Sequence, residues 1–381
     1  MAGIARHIFP GDNTPEGFFS YYSYILSQQE AEKIYCIKGG PGVGKSTFMR
    51  KIGEEMLAEG HDTDFMHCSS DCGSLDGIVL RDKKIALVDG TSPHIVDPIN
   101  PGAVDTIVHL GEYWNESGIR SHRKEVIAKN AEIGTIFARA YNYLGAAGKM
   151  YDNLTAVYEL GLRSAELYKL TAHFINQELA HRELSPELGR VRKYFASGIT
   201  PAGVVHYLES LVQGYKRVYI LKAPVGVSAH KILALFSESA LCRGFDVEEY
   251  YCPMKPSEKM EHLLIPDLSI AFLTSNSFHM VAESKIGGEG KFSAEIRTVD
   301  LAELVDEEKM AKQKHIADDS RRQMEDLLAK GVSCLAEAKA EHDKLEENYI
   351  PNMDFGKIEK VRKEIAKAIR KKQVLGPETR I

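Results

Sequence analysis

Residues 34–47 read Ile-Tyr-Cys-Ile-Lys-Gly-Gly-Pro-Gly-Val-Gly-Lys-Ser-Thr and carry the strongest structural signal in the sequence. A short apolar run leads into a glycine-rich loop, and the loop fits the phosphate-binding pattern G-x-x-x-x-G-K-[ST] in full. Helix-forming residues follow from Lys45 to about Glu59, with apolar residues spaced along one face, and Gly60 stands just past them. The sequence therefore predicts a buried strand over residues 33–37, then a phosphate loop, then a helix.

Each part of this loop has a physical reason. A loop that wraps an anion with its own N–H groups has little room for side chains, and glycine also adopts the unusual φ values that such a loop needs. The helix that follows points its N-terminal amides and its dipole at the phosphates. We expect Lys45 to reach the β- and γ-phosphates of ATP and the Ser46 hydroxyl to coordinate Mg²⁺, which prefers hard oxygen ligands. The predicted nucleotide contacts are Gly39, Gly40, Pro41, Gly42, Val43, Gly44, Lys45, Ser46 and Thr47.

A second copy of this stretch occurs about 184 residues further on. Residues 218–231 read Val-Tyr-Ile-Leu-Lys-Ala-Pro-Val-Gly-Val-Ser-Ala-His-Lys, so the strand and one glycine are kept. The lysine and its preceding glycine are lost, because Ser228 and Ala229 stand in place of Gly44 and Lys45. Matching residues continue in register over roughly 80 positions, so the repeat is a whole domain and not a short solenoid unit. We predict an internal duplication with one competent and one degenerate phosphate loop.

The repeat divides the chain into two predicted units, residues 1–188 and 189–381. In each unit a strand, a helix and two further apolar strands follow one another. This order is typical of a parallel sheet with crossover helices. The predicted fold class is therefore α/β, with two duplicated P-loop NTPase-type units that each contain a parallel sheet.

Each predicted unit continues into a long helical arm. Apolar residues recur in steps of four and three between Val126 and Tyr158, and again between Met324 and Tyr349. Such arms pack on their own sheets, pack on each other, or project and bind a protein partner, and the pattern leaves these arrangements open. The basic stretch 357–372 is more typical of a solvated helix face than of a nucleic-acid patch.

Asp89 follows the apolar run 85–88, where a Walker B strand carries its acidic residue. We therefore expect Asp89 to act with Ser46 in holding Mg²⁺. Many P-loop ATPases place a water-orienting glutamate directly after this aspartate, but here Gly90 follows. Residues in loops after neighbouring strands are candidates for that role, because such loops face the ligand in open α/β sheets. The candidates are Asp71 and Asp76, which the sequence places in the loop after the second strand, and His94.

Composition narrows the class of protein. The chain has 381 residues, of which 44% are hydrophobic and 27% charged, as in an ordinary globular protein. A net charge of −6 disfavours a protein whose main role is to coat nucleic acid.

Targeting signals and membrane segments are not predicted. No run of 18 apolar residues suits a membrane span, and the first residues lack a signal-peptide pattern. The six scattered cysteines favour reduced thiols in a cytoplasmic protein, and the spacing of Cys68 and Cys72 beside His67 is only a weak metal signal.

The motifs together resemble those of a bacterial family of tandem P-loop proteins. The segments that carry the resemblance are 38–47, 67–71, 88–94 and 97–105, and the similarity covers essentially the whole chain. Members of this family are generally labelled ATPase or NTP-binding protein, without a defined substrate. The resemblance implies nucleotide binding and supplies no pathway. Members can carry a more intact second glycine loop, from which this chain departs at Ala223.

The leading hypothesis is Mg²⁺-dependent binding of ATP, or of another NTP, with slow hydrolysis in the N-terminal half. The second half would then be structural or regulatory. A small-molecule kinase is the alternative, with the loop at residues 71–76 holding its acceptor. The missing glutamate after Asp89 favours both this alternative and the third hypothesis below, whereas the absence of a lid rich in Arg and Lys disfavours the kinase. A nucleotide-dependent scaffold without turnover is the third hypothesis.

Overall fold

The computed structural model describes residues 2–91, 96–286 and 294–371, which form a mixed α/β fold with two six-stranded sheets and two short hairpins. The strands are β1 Ala5–Ile8, β2 Gly11–Thr14, β3 Gly17–Ser20, β4 Lys33–Lys38, β5 Thr63–His67, β6 Leu75–Leu80, β7 Ile85–Asp89, β8 Asp105–His109, β9 Val191–Tyr194, β10 Ser197–Thr200, β11 Gly203–His206, β12 Arg217–Lys222, β13 Val247–Cys252, β14 Lys255–Ile265, β15 Ile270–Ser275 and β16 Glu295–Asp300. The helices are α1 Lys45–Ala58, α2 Glu116–Ser121, α3 Arg123–Gly161, α4 Ser164–Leu179, α5 Leu208–Leu211, α6 His230–Leu241, α7 Glu307–Glu346 and α8 Phe355–Lys371.

The two sheets have the same strand order. The first runs β1-β5-β6-β7-β4-β8, and the second runs β9-β13-β14-β15-β12-β16. In the first sheet β4 pairs in parallel with β7 and β8, and in the second β12 pairs in parallel with β15 and β16. In each half a hairpin follows the first strand of the sheet, β2 with β3 after β1 and β10 with β11 after β9. This correspondence supports the interpretation of the sequence repeat as a duplicated unit.

The prediction of parallel sheets is wrong for one strand in each half. Strands β6 and β14 run antiparallel to both of their neighbours, so both sheets are mixed. The connection from β5 to β6 is a short turn, and a short turn returns the chain antiparallel, whereas a parallel neighbour needs a crossover connection. For the same reason Asp76 does not lie in a loop, as the sequence suggested. It lies in β6, where it is buried.

The predicted strand, loop and helix around residues 33–59 are confirmed. Strand β4 ends at Lys38, and α1 begins at Lys45 and ends at Ala58. The φ angle of Gly60 is +99°, a left-handed value that favours glycine just past a helix. The apolar face of α1 is buried against the first sheet and includes Phe48, Met49, Ile52 and Met56.

The chain forms two compact units, and neither is continuous in sequence. Unit 1 contains the residues up to 11, residues 20–139 and the residues from 333 onward, whereas unit 2 contains residues 12–19 and 140–332. The predicted boundary at residue 188 falls in the connection between α4 and β9.

Each sheet packs against a helix that the sequence order assigns to the other half. In unit 1, α8 from the end of the chain adds Ile358 and Ile369 to the core of the first sheet. In unit 2, α4, which follows the first sheet in sequence, adds Phe174 to the core of the second. The ring of Phe174 lies 5.0 Å from that of Tyr219 and 5.5 Å from that of Phe272, both on strands of that sheet. Each sheet is therefore covered by a helix from the other half of the sequence.

The two predicted arms are the long helices α3 and α7. Residues of the arms contact each other within each unit. In unit 1 Arg139 of α3 pairs with Glu337 of α7 at 2.6 Å, and in unit 2 the side chain of Leu144 lies against Gly331. Packing of one arm on the other is one of the arrangements that the heptad pattern left open. No helix among the described residues is long and apolar enough to cross a membrane.

Basic residues of α8 form ion pairs with α1 in unit 1. The guanidinium of Arg362 lies 2.6 Å from a carboxylate oxygen of Glu55, and Arg370 lies 2.7 Å from one of Glu59. Arg362 is itself almost fully buried. These two arginines thus hold the terminal helix on the helix that follows the phosphate loop.

Candidate functional site

The glycine-rich loop connects β4 to α1 and is held in a conformation that requires glycine. Gly42 and Gly44 have φ angles of +65° and +84°, and Gly44 directly precedes the helix. A Cβ atom on Gly39 would lie 2.7 Å from the side chain of Val43, which is too close. Val43 is buried in the core of unit 1, so it anchors the loop, and Pro41 is half-buried between two glycines.

Neighbouring parallel strands bring Lys45 and Asp89 together. Ile37 at the end of β4 is paired with Asp89 at the end of β7, so both connections leave the sheet at the same edge. Lys45 Nζ lies 3.6 Å from Asp89 Oδ2 and donates hydrogen bonds to the carbonyl oxygens of Gly39 and Gly40, at 3.1 and 2.9 Å. The structure therefore places the predicted cation beside the predicted metal-binding carboxylate.

The remaining predicted contacts lie on the first turn of α1 and beside it. Ser46 Oγ accepts a hydrogen bond from the N–H of Leu75 at 2.9 Å, which fixes the hydroxyl against the start of β6. Thr47 is exposed. The carboxylate of Asp89 accepts the N–H of Thr91 at 2.8 Å, and a carboxylate has lone pairs beyond the one used in that bond.

The candidates for orienting water have different surroundings. Asp71 accepts a hydrogen bond from Ser74 Oγ at 2.9 Å and closes the turn between β5 and β6. Its carboxylate also lies 3.4 Å from Lys339 Nζ, on α7. Asp76 is buried in β6. His94 lies outside the described residues.

A carboxylate from the far end of the chain is bonded to the glycine-rich loop, and no motif in the sequence indicated this contact. Glu346, the last residue of α7, accepts the N–H of Gly42 with Oε1 at 3.0 Å. The two residues are 304 positions apart, so no local pattern reports their contact. One backbone N–H of the glycine-rich loop therefore donates to an anionic side chain.

The turn after α7 packs over the same loop. We call residues 346–355 the C-terminal cover. A Cβ atom on Gly40 would lie 3.2 Å from the ring of Tyr349 and 3.4 Å from that of Trp114, and one on Gly42 would lie 2.9 Å from Ile350. Trp114 is the only tryptophan in the chain, and no motif in the sequence predicted that it lies against this loop.

A second lysine at this edge was present in both sequence repeats but was not assigned a role. Lys38 Nζ donates to the carbonyl oxygen of Gly90 at 2.6 Å and to the carboxylate of Asp97 at 2.7 Å. It thus ties the end of β4 to the connection after β7. Its counterpart Lys222 is exposed. Retention of a lysine in both copies was the available signal.

His67 and His7 form a hydrogen-bonded pair at the ends of β5 and β1. His7 Nδ1 lies 2.8 Å from His67 Nε2, and His67 Nδ1 lies 3.2 Å from the carbonyl oxygen of Cys72. His67 can donate to Cys72 and accept from His7 only as a neutral ring. Burial and the neighbouring His7 lower the pKa of His67 to about 4. Burial raises the pKa of the Cys68 thiol well above its usual range, so this thiol stays protonated.

The second loop is an apolar turn packed into the core of unit 2. The counterpart of Lys45 is Ala229, which is buried together with Val225 and Val227. Gly226 keeps a left-handed φ of +105°, and a Cβ atom there would lie 2.5 Å from the ring of Tyr158. This turn offers no cation to a phosphate and little space around it.

The end of β15 carries no acidic residue in the position of Asp89. Thr274 stands there, and its N–H donates to His262 Nδ1 at 3.0 Å. Because Nδ1 of His262 accepts this bond, the neutral ring carries its hydrogen on Nε2 and has no lone pair there for a metal ion. His279, the counterpart of His94, is buried with Nε2 3.6 Å from the carboxylate of Glu261. The second half therefore lacks both the lysine and the carboxylate of the first.

No protein family model, no curated protein and no solved structure matches this chain. The interpretation of its function therefore depends on the residues of the site and on the contrast between the two loops.

Proposed function

We propose that the N-terminal phosphate loop binds a nucleoside triphosphate, ATP in the first place, together with Mg²⁺. The observation that carries the proposal is the meeting of Lys45 and Asp89 beside a loop with two left-handed glycines. Lys45 would neutralise charge on the β- and γ-phosphates. Ser46 and Asp89 would supply oxygen ligands to Mg²⁺, which balances the remaining phosphate charge.

The residues present fit these ligands. The N–H of Gly42 donates a hydrogen bond to the carboxylate of Glu346 in this structure, which supports the binding of an anion at that position. The start of α1 lies directly after Gly44, so its N-terminal amides are available to phosphate oxygens. The second loop lacks these features, which supports a single nucleotide site for each chain.

Hydrolysis at this site is proposed to be slow. The reaction transfers the γ-phosphoryl group to water, so that a bond forms between water oxygen and phosphorus while the bond to ADP breaks. Lys45 is placed to stabilise the charge that develops on ADP. Gly90 follows Asp89, so no glutamate stands there to orient water, and Asp71 is already bonded to Ser74.

A small-molecule kinase remains the second candidate, because the turn that contains Asp71 borders the phosphate loop. The N–H of Leu75 donates to Ser46, and the guanidinium of Arg50 donates to the carbonyl oxygen of Gly73 at 2.6 Å. An acceptor hydroxyl near this turn would be close to the first turn of α1. Only Asp71 would be available to it from the loop, since Asp76 belongs to β6.

Release of ADP in the presence and absence of a panel of hydroxyl and amine acceptors separates these functions. Slow release that is independent of acceptor supports hydrolysis by the loop. Release that one acceptor class stimulates would replace hydrolysis by phosphoryl transfer. Tight binding of Mg-ATP without any release would leave a nucleotide-dependent scaffold.

A further inference from the structure

We infer that the C-terminal cover is an internal competitor for the phosphate loop, with the carboxylate of Glu346 occupying the place of a nucleotide phosphate. This inference rests on the proposed function of the loop and adds a mode of regulation to it. Nucleotide would then bind only when the end of α7 and the turn after it withdraw from the loop.

The contact between Glu346 and the loop is chemically the same kind of contact that a phosphate makes. Glu346 Oε1 accepts the N–H of Gly42 at 3.0 Å and lies 3.8 Å from Nδ1 of His342, four residues earlier on α7. A backbone N–H donates one strong hydrogen bond, so Glu346 and a phosphate oxygen cannot both hold it. A triphosphate would also repel the carboxylate through like charge.

The carboxylate is held in place by the packing of the cover. Ile350 lies against Gly42, and the rings of Tyr349 and Trp114 lie against Gly40, with ring centres 6.4 Å apart. The ring of Phe355 lies against Gly44. Glu346 therefore withdraws together with the turn that follows it.

A second contact places the end of α7 over the other border of the site. Lys339, Asp343 and Glu346 are spaced at i, i+4 and i+7, so they share one face of the helix. Lys339 Nζ lies 3.4 Å from the carboxylate of Asp71 and 2.5 Å from that of Asp343. The last two turns of α7 thus contact both the phosphate loop and the turn after β5, and their withdrawal would free both.

The consequence is a lowered apparent affinity for nucleotide. When only a fraction of the molecules has an open loop, the measured Kd rises by the inverse of that fraction. A hydrogen bond to a charged acceptor is about twice as strong as one to a neutral acceptor. Replacing Glu346 by the isosteric glutamine weakens the closed state while keeping its shape, so the Kd for Mg-ATP should fall roughly three- to tenfold.

The test compares three full-length proteins by calorimetric titration with Mg-ATP: the wild type, Glu346→Gln and Glu347→Gln. Glu347→Gln is the matched control, because it removes the same charge from the neighbouring position. The side chain of Glu347 is exposed. The fluorescence of Trp114 is followed in the same titrations, because this single tryptophan contacts the cover. We expect tighter binding in Glu346→Gln alone, and greater accessibility of Trp114 to acrylamide when nucleotide is bound.

The outcomes separate the inference from the function on which it rests. Equal Kd values for all three proteins, with binding intact, would overturn the inference and leave nucleotide binding standing. Weaker binding in Glu346→Gln would also overturn it, because Glu346 would then assist the nucleotide. Absence of binding in all three would reject the proposed function and the inference together.

Discussion

At the residue scale, Lys45 and Asp89 have different roles in the proposed site. Lys45 donates to the carbonyl oxygens of Gly39 and Gly40 and lies 3.6 Å from Asp89, and we propose that its charge faces the phosphates. The carboxylate of Asp89 accepts a hydrogen bond from the N–H of Thr91. Its other oxygen lone pairs could coordinate a cation. The two residues should therefore respond differently to removal of Mg²⁺.

Replacing Asp89 by asparagine should weaken nucleotide binding mainly in the presence of Mg²⁺. The amide keeps the size of the side chain but removes the negative charge that balances the cation, so Mg-ATP affinity should fall about tenfold, with a smaller change for metal-free ATP. Calorimetric titrations with Mg²⁺ and with a chelator measure both. Asp97→Asn is the control, because that carboxylate pairs with Lys38. Equal losses with and without Mg²⁺ would contradict the metal role of Asp89.

At the element scale, the two loops show how the same backbone turn serves different purposes. Both connect a central strand to a helix and both keep a left-handed glycine, Gly42 in the first and Gly226 in the second. The first loop has polar atoms at its surface, whereas the second fills a core with apolar side chains. The two loops therefore differ in the packing of the whole turn, and not only in the replacement of lysine by Ala229.

Restoring the lysine in the second loop should destabilise the protein without creating a site. Ala229 is 1% exposed, and burying an ammonium there without a partner should cost about 2–4 kcal/mol. Thermal unfolding of Ala229→Lys measures this cost, and calorimetry measures the number of Mg-ATP sites. Ala165→Lys is the matched control, at an exposed position near the start of α4. A second nucleotide site in Ala229→Lys would contradict the account of this loop.

The hydrogen-bonded pair of His7 and His67 predicts a pH dependence of stability. The pKa of His67 falls from its ordinary 6.5 to about 4, so the unfolded chain binds more protons than the folded one between these values. Stability from this residue is fully present above pH 6.5 and is lost as the pH falls towards 4. Between pH 7 and pH 5 the loss should be about 2 kcal/mol.

Urea unfolding of wild type and His67→Gln at these two pH values tests the prediction. Glutamine keeps a donor and an acceptor but does not titrate, so the variant should lose about 2 kcal/mol less than the wild type on acidification. Buried histidines that do not contact His67 titrate in both proteins and cancel in the comparison. An equal loss in both would show that His67 does not carry the effect.

Features that depend on neighbouring residues could be predicted from the sequence. The motif predicted the glycine-rich loop and the start of α1 at Lys45. The ends of two strands at one sheet edge predicted that Lys45 and Asp89 lie close together. Strand β6 was missed because its turn gave no clear hairpin signal, and this also misplaced Asp76. The contact of Glu346 with Gly42 was beyond reach, because it depends on packing between residues 304 positions apart.

At the scale of the whole molecule, each compact unit draws on both halves of the sequence. Helix α8 completes the core of the first sheet, and α4 completes that of the second. The buried stripes of α3 and α7 contact each other within each unit, so a protein partner for the arms would have to use their outer faces. Binding through the arms and a cytoplasmic location stay predictions from the sequence.

The duplicated sheets also set the number of sites to expect for each chain. They share one strand order, yet only the first has a lysine at the start of the helix after its central strand, Lys45, and an aspartate at the end of the neighbouring strand, Asp89. The account therefore requires one nucleotide for each chain, held by Lys45.

Calorimetric titration of wild type and Lys45→Ala with Mg-ATP tests this claim most directly, with thermal unfolding of both proteins as the check on folding. The account predicts one site in the wild type and none measurable in Lys45→Ala, with similar unfolding temperatures. Two sites for each wild-type chain, or an unchanged affinity in a folded Lys45→Ala variant, would contradict it.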